Sequence, residues 1–396
     1  MPADPTPQTS ASKVPLWRQP VLRALVFQIA LVLALLAFGN YLLNNTLQNM
    51  EQRGITTGFG FLSNAAGFGI LQSLIPYDET YTYGRTFLVG LLNTLLVAGL
   101  GIFFATLLGF FIGVARLSHN WLVARLATIY IETFRNIPLL LQIMFWYFAV
   151  LRPLPAPRQS LAMGDSVFLN NRGLFLPKPV SEEGFGMVLT AFVIALVAVF
   201  LVARWARRRQ EETGRQFPTV PAGVALVIGL PLIVFWLVGA PMHWDYPALK
   251  GFNFRGGLEV LPELAALVLA LSIYTGAFIA EAVRSGIMAV SHGQTEASYA
   301  LGLRPGITLK LVVIPQAMRV IIPQLTSQYL NLTKNSSLAT AIGYPDLVNV
   351  FAGTTLNQTG QAVEVIAMTM GVYLLISLVI SMFMNWYNKR KQLVER

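Results

Sequence analysis

The sequence predicts an all-α integral membrane protein of about eight transmembrane helices. Three observations predict it. Over half of the 396 residues, 55%, are apolar and only 12% are charged, where a soluble domain carries about 25%. The apolar residues form runs of about 20, the length that crosses a bilayer core. The Lys and Arg residues crowd into every second segment between those runs, the asymmetry that orients a membrane chain.

The elements follow in chain order. Residues 1–20 form a polar tail whose stretch Pro2 to Ser12 is rich in Pro, Ser and Thr and is expected to be disordered. The first run, 22–43, is too long for a signal peptide, and no small-x-small cleavage site follows it. It is expected to stay as an anchor within a region 21–86. The middle of segment 44–86, GFGFLSNAAGFGILQSLIPY, is too broken by Gly to span and reads as a re-entrant or interfacial piece. Spans 87–115 and 126–151 make up region 87–151. Pro138 removes a backbone hydrogen bond and is expected to kink the second of them. Residues 152–185, rich in Pro, Gly and Asn, read as an irregular external loop. With spans 186–204 and 221–240 they form region 152–257. Spans 258–284, 312–339 and 363–387 fill region 258–387, and a short tail, 388–396, closes the chain.

With the N-terminus in the cytoplasm, the segments on that side hold eighteen basic residues, from Lys13 and Arg18 to Arg396. The opposite side holds eight, including Arg53, and Arg135 and Lys334 fall inside spans. Eight spans then place both termini in the cytoplasm. The bias is weakest over 152–178. The run Arg204–Arg209 reads as a topology anchor beside anionic membrane lipid.

Several function classes drop out. A net charge of +10 in a soluble protein would point to nucleic acid, but here the charges flank apolar runs. There is no Cys, hence no disulfide and no thiolate site. His119, His243 and His292 lie far apart and indicate no metal cluster. The phosphate cradle G-x-x-x-x-G-K-[ST] does not occur, nor does the dipeptide Gly-Lys. No paired His or Asp motif or activated nucleophile supports a membrane-embedded enzyme. A secondary transporter or channel for small polar solutes, the alternative class, calls for charges deep in the spans or inverted repeats.

Between spans six and seven lies EASYALGLRPGITLKLVVIP, residues 296–315. Glu296, Ala297 and Ser298 are followed by Gly302, and the stretch ends at Pro315. Thr295 to Leu301 can form a short helix capped by Ser291 or Thr295. Gly302 can end it in a left-handed conformation, and Pro305 with Gly306 can turn the chain. This segment resembles the cytoplasmic "EAA" loop of ABC importer permeases, with Ser298 in place of the usual Ala and Val312 in place of the usual Ile. IETFRNIPLLLQ (Glu132, Phe134, Arg135, Pro138 to Leu140, Gln142), NTLLVAGLGIFFATLLGFFIGVARLS, YTGAFIAEAVRSGIMAVSHGQTEASYALGL and LTKNSSLATAIG resemble stretches of the polar amino-acid (histidine/glutamine-type) permeases. Among these the chain is most similar to the long permease subunit of general L-amino-acid uptake systems.

The resemblance implies a five-helix type I ABC importer core, split by the 152–257 insertion and preceded by an anchor, with a coupling loop at 291–315. It implies an amino-acid importer working by alternating access in the bacterial inner membrane. Its partners would be a cytoplasmic ABC ATPase dimer, a second homologous permease or a second copy, and a periplasmic amino-acid-binding protein. ATP and Mg would be held by the ATPase and no cofactor by this chain.

Ionisable and polar residues inside spans are costly and mark candidate sites. Glu132 and Arg135, three apart on one helix face, read as an ion pair, either structural or part of a gate. Glu281 and Arg284 form a similar pair beside the coupling loop. Tyr274 lies on the same face as Glu281, and Gln142 sits one turn beyond Pro138. Asn331, Lys334, Asn335, Ser336 and Ser337 form the most polar cluster. Lys334 could face a substrate carboxylate and Asn331, Asn335 and Ser336 could supply neutral hydrogen bonds. The plainer alternative has Lys334 reaching to lipid headgroups at a helix end.

Overall fold

The computed structural model describes residues 20–52 and 57–391. The Pro2 to Ser12 stretch and Lys13, Arg18, Arg53 and Arg396 lie outside them. The helices are α1 (Pro20–Gln52), α2 (Tyr83–Arg116), α3 (Trp121–Asn136), α4 (Leu139–Met144), α5 (Phe185–Thr213), α6 (Thr219–Leu237), α7 (Pro262–Met288), α8 (His292–Ala300), α9 (Pro305–Thr308), α10 (Ile314–Asn335), α11 (Leu356–Thr359) and α12 (Ala362–Lys391). Seven helical stretches are long and apolar enough to cross a membrane, and α3 with the continuation of α4 adds an eighth as a bent pair. The count predicted from the sequence therefore holds for the described residues.

α7 is the hub. It packs along α2 and against α3, α4 and α10, and fully buried Ala266, Leu267, Ala270, Leu271, Ala277, Ile279 and Ala280 line its faces. Without a hydrophobic force between helices in lipid, close packing of small residues holds such a pair. At Gly109 of α2 an added Cβ would lie 2.5 Å from the Ile279 Cβ, and at Gly113 2.8 Å from the Val283 Cβ. The two backbones approach where only glycine fits.

The third predicted span departs most from expectation. A kink is replaced by a turn of 105° between Trp121–Asn136 and Leu139–Leu151. Pro138 removes the N–H that would bond to the Phe134 carbonyl, and Ile137 is extended with ψ 127°. Beyond α4 the chain continues as a π-helical stretch, Phe145–Leu151.

The segments flanking α5 and α6 are not irregular, which corrects the reading of 152–185. β1 (Leu161–Met163), β2 (Val167–Asn170), β3 (Gly173–Leu176) and β8 (Leu258–Val260) form one antiparallel sheet in that order. β4 (Lys178–Ser181) pairs with β5 (Met242–Asp245), and β6 (Ala248–Lys250) with β7 (Asn253–Arg255). Runs such as Val167-Phe168-Leu169 carry the strand signal, which their three- and four-residue length hid among Pro and Gly. Between these loops α5 and α6 pack chiefly on one another. Between Leu22 and Leu43 the large apolar side chains of α1 are exposed, with Phe27 at 74% and Leu33 at 60%. Segment 57–82 does not span. It lies over one end of the core, with Phe61 and Ala66 buried against Tyr83, Leu347, Phe351 and Val365.

A bulky residue at the α2–α7 contact should disrupt it. We expect Gly109→Leu to cost about 1–3 kcal/mol or more, read as a lower thermal midpoint of the purified protein. Gly99→Leu, where an added Cβ meets nothing within 4 Å, should leave the midpoint unchanged.

Candidate functional site

Three places along the core carry the polar chemistry. The first is the segment after α7. α8 begins after Ser291, whose side chain makes no cap hydrogen bond, and it ends at Leu301 and left-handed Gly302, φ 76°. The helix is longer at its start than predicted. Pro305 opens α9 rather than turning the chain, because its fixed φ suits the first helical position. A π-helical stretch, Leu309–Val313, then leads into α10, with Pro315 in its first turn. Glu296 and Ala297 are exposed and Ser298 is buried, its Oγ donating to the Gln294 carbonyl at 2.7 Å. Glu296 Oε1 pairs with His292 Nδ1 at 3.1 Å. Tyr299 is 49% exposed and Leu301 80%, so α8 presents aromatic and aliphatic groups away from its own protein. Gln316 Nε2 donates to Gln294 Oε1 at 3.4 Å and ties α8 to α10.

The second place is at the base of that segment. Glu281 is held by Arg284 at 2.5 Å and by Arg116 of α2 at 2.6 Å. Arg116 also reaches Glu132 of α3 at 3.7 Å. One carboxylate thus joins α2 and α7, with α3 at the edge. The expected Glu132–Arg135 pair is corrected: Arg135 lies over the Phe278 ring, 5.1 Å from its centroid, because α3 turns that residue toward α7. Arg116 was read from the sequence as a flanking charge only; its position at the end of a long apolar helix gave no sign of a partner 165 residues away. Tyr274 packs on Phe278 at 5.0 Å within the core.

Gln142 acts at the break. Its Nε2 donates to the Phe134 and Ile137 carbonyls, both at 3.0 Å. The first of these is the acceptor orphaned by Pro138, and in lipid such a group must find a partner in the protein. The side chain is buried and its Oε1 has no hydrogen-bond partner.

The third place is a cavity of about 520 Å³ between the end of α10, the segment at Val348 and α12. Lys334 and Ser337 line one side and Thr369, Tyr373 and Ser377 the other, with Val348, Met370 and Leu374 as the apolar wall. The predicted polar break is a change of helix type: α10 tightens into the 3-10 stretch Ser336–Ile342 without leaving its path. The cluster divides accordingly. Ser336 is buried and donates to the Thr333 carbonyl at 2.7 Å, Asn335 is half-buried and Asn331 exposed. Only Lys334 and Ser337 of the five line the cavity.

Behind it lies a segment the sequence did not mark. Asn93 of α2 donates to the Pro345 and Gln72 carbonyls, each at 2.8 Å, and the Leu347 N–H donates to Thr94 Oγ1 at 3.0 Å. These bonds fix Asp346, which is fully buried, in the core. A lone acid in the apolar run AIGYPDLVNVF was the available signal.

Comparison with known proteins places the chain. Residues 214–392 match the family profile described as binding-protein-dependent transport system inner membrane component. The chain is similar to the amino-acid ABC transporter permease protein YhdX of Escherichia coli, 60% identical over 95% of this chain and 96% of the relative. It is similar to the general L-amino acid transport system permease protein AapQ of Rhizobium johnstonii, 53% identical over 95% and 94%. It is also similar to the glutamate/glutamine/aspartate/asparagine transport system permease protein BztB of Rhodobacter capsulatus, 46% identical over 94% and 95%.

The role of Gln142 at the break is open to measurement. Gln142→Leu leaves the Phe134 carbonyl without its donor, at a cost of about 1–3 kcal/mol. The thermal midpoint in detergent should fall, and Gln142→Glu, which cannot donate when ionised, should lower it at least as far.

Proposed function

This chain belongs to the family of amino-acid ABC transporter permeases, and we propose that it is the longer permease of a broad-range L-amino-acid importer driven by a separate ATPase. The observation that carries the proposal is α8. A short helix with exposed Tyr299 and Leu301, stopped at Gly302, projects from the end of α7 and is tied to α10. Such a helix fits a groove on a partner. Glu296, Ala297, Ser298, Gly302 and Pro315 are the coupling residues in this reading.

Two ATPase subunits grip α8 of this chain and its counterpart on a second homologous permease or a second copy. ATP and Mg belong to that ATPase, since this chain has no phosphate cradle. α7 separates its β8 end from its α8 end by about 40 Å, from 27 residues at 1.5 Å rise. A periplasmic amino-acid-binding protein delivers substrate at the β8 end. Both termini of this inner-membrane chain lie on the ATPase side, supported by the Lys/Arg asymmetry. ATP binding moves α8, and the Glu281 cluster carries that movement into α2 and α3. Hydrolysis resets the inward-open state.

The cavity supplies the substrate site. Lys334 offers a cation for a carboxylate. Ser337 Oγ donates to the Lys334 carbonyl at 2.7 Å and Thr369 Oγ1 to the Val365 carbonyl at 2.8 Å. With their protons spent, both hydroxyls turn lone pairs outward and can accept from an ammonium. Val348, Met370 and Leu374 offer a side chain no charged partner, which supports broad range. Asn331 and Asn335 extend the polar path, while Ser336, Gln142 and Tyr274 support its walls.

Two measurements test the proposal. The purified complex should contain an ATPase, and the double variant Glu296→Ala/Gly302→Val should lose it while staying in the membrane fraction; a stable ATPase complex in that variant would refute the docking assignment. Lys334→Met should cut amino-acid uptake into proteoliposomes about ten- to hundredfold, the worth of one charge-assisted hydrogen bond, with assembly intact. Unchanged uptake kinetics would remove Lys334 from the site.

A further inference from the structure

Asp346 is a buried charge that the coupling and transport steps described so far do not use. It is 0% exposed. Its Oδ1 accepts the Asn349 N–H at 2.9 Å and its Oδ2 the Tyr373 hydroxyl at 3.4 Å. Burial pushes its pKa up to about 7, with the neighbouring donors of Asn349, Val348, Tyr373 and Thr340 pulling the other way. The bonded donors leave the carboxyl group as an acceptor, and a cation brought near it would favour its ionised form. Among the described residues it has no salt-bridge partner, so neutral donors alone offset its charge. A buried ion in that state is costly unless an opposite charge comes near.

Tyr373 links it to the cavity. The ring forms part of the cavity wall and the hydroxyl points back to Asp346. Across the same cavity stands Lys334. The lining therefore has a cation on one side and, one side chain behind the other, a carboxyl group that a nearby cation would hold ionised.

We propose that Asp346, acting through Tyr373, is a positioning residue that makes the cavity selective for the α-ammonium group of its substrate. This rests on the reading of the Lys334 cavity as the substrate site. The zwitterion lies with its carboxylate at Lys334 and its ammonium at Thr369, against the Tyr373 wall. The field of Asp346 favours the ammonium there, and hydrogen bonding to Asp346 makes the Tyr373 ring more electron-rich toward it. The bound cation in turn offsets the buried carboxylate. Selection falls on the group all α-amino acids share, which is compatible with many side chains.

The test uses the purified transporter complex without its binding protein, so that only the membrane site discriminates. The probes are L-leucine and isocaproate, which differ only in the amino group, with binding read by ligand-observed NMR. The wild type should prefer L-leucine about tenfold, since one charge–charge contact in a partly screened site is worth about 1–2 kcal/mol. Asp346→Asn keeps the shape and should bring the ratio close to one. Tyr373→Phe keeps the ring and removes the link, and should reduce the ratio even if Asp346→Asn fails to assemble. A full L-leucine preference retained in either variant would overturn the proposal and leave Asp346 as a structural cap of the helical stretch after it. Loss of both ligands in Lys334→Met supports the substrate site itself. Retention of both in that variant, or no binding of either by the wild type, defeats the site reading and the proposal with it.

Discussion

The close approach of α2 and α7 sets the positions on which the remaining core depends. Two glycines, a turn apart on α2, let its backbone touch Ile279 and Val283 of α7. That contact fixes the register between the helices. It brings Arg116, at the end of α2, level with Glu281, and Asn93 and Thr94, near the other end, level with the segment carrying Asp346. A shift of one helical turn, about 5.4 Å, would break both sets at once. The packing of small residues in one place therefore aligns the ionic node near α8 and the polar wall behind the cavity, though they lie at opposite ends of the pair.

A second constraint shapes what the helices do between those ends. Lipid offers no hydrogen bonds, so a departure from the α-helix must be repaired by the protein. The break at Pro138 is repaired by the side chain of Gln142. The π-helical stretches at Phe145–Leu151, Leu309–Val313 and Val348–Thr355 and the 3-10 stretch at Ser336–Ile342 change the helix pitch without giving up internal bonding. These irregular stretches adjoin the break, the α8 segment and the cavity, where side chains must be aimed away from the regular ladder.

Much of this was legible in the chain. Apolar length and Lys/Arg placement locate the spans because they reflect a single solvent boundary. The α8 stop at Gly302 was legible because a left-handed residue at a helix end has a strong residue preference. What stayed hidden depends on distant partners. Glu132 and Arg135 sit at pairing distance along the helix, yet a residue on α2 and a ring on α7 take them apart. Arg116 looks like any flanking charge until Glu281 is beside it. The strands around α5 and α6 were missed because each is only three or four residues long, and β3 and β4 find partners, β8 and β5, only beyond two spans. Asp346 was overlooked because its bonded donors, the Asn349 N–H of a backbone turn and the Tyr373 hydroxyl of a helix 27 residues on, belong to no local pattern.

The zipper of β4 to β5 has a further consequence. Ser181 faces Met242 across it, a separation of about 5 Å in such a ladder, so the chain leaves for the α5–α6 hairpin and returns almost to its point of departure. Seen from the core, the inserted spans occupy no distance. The far end of the hairpin can therefore shift without displacing α4 or α7. Strain at the hairpin's far end thus reaches the core chiefly through this two-stranded neck, while the packed core helices share every displacement with their neighbours.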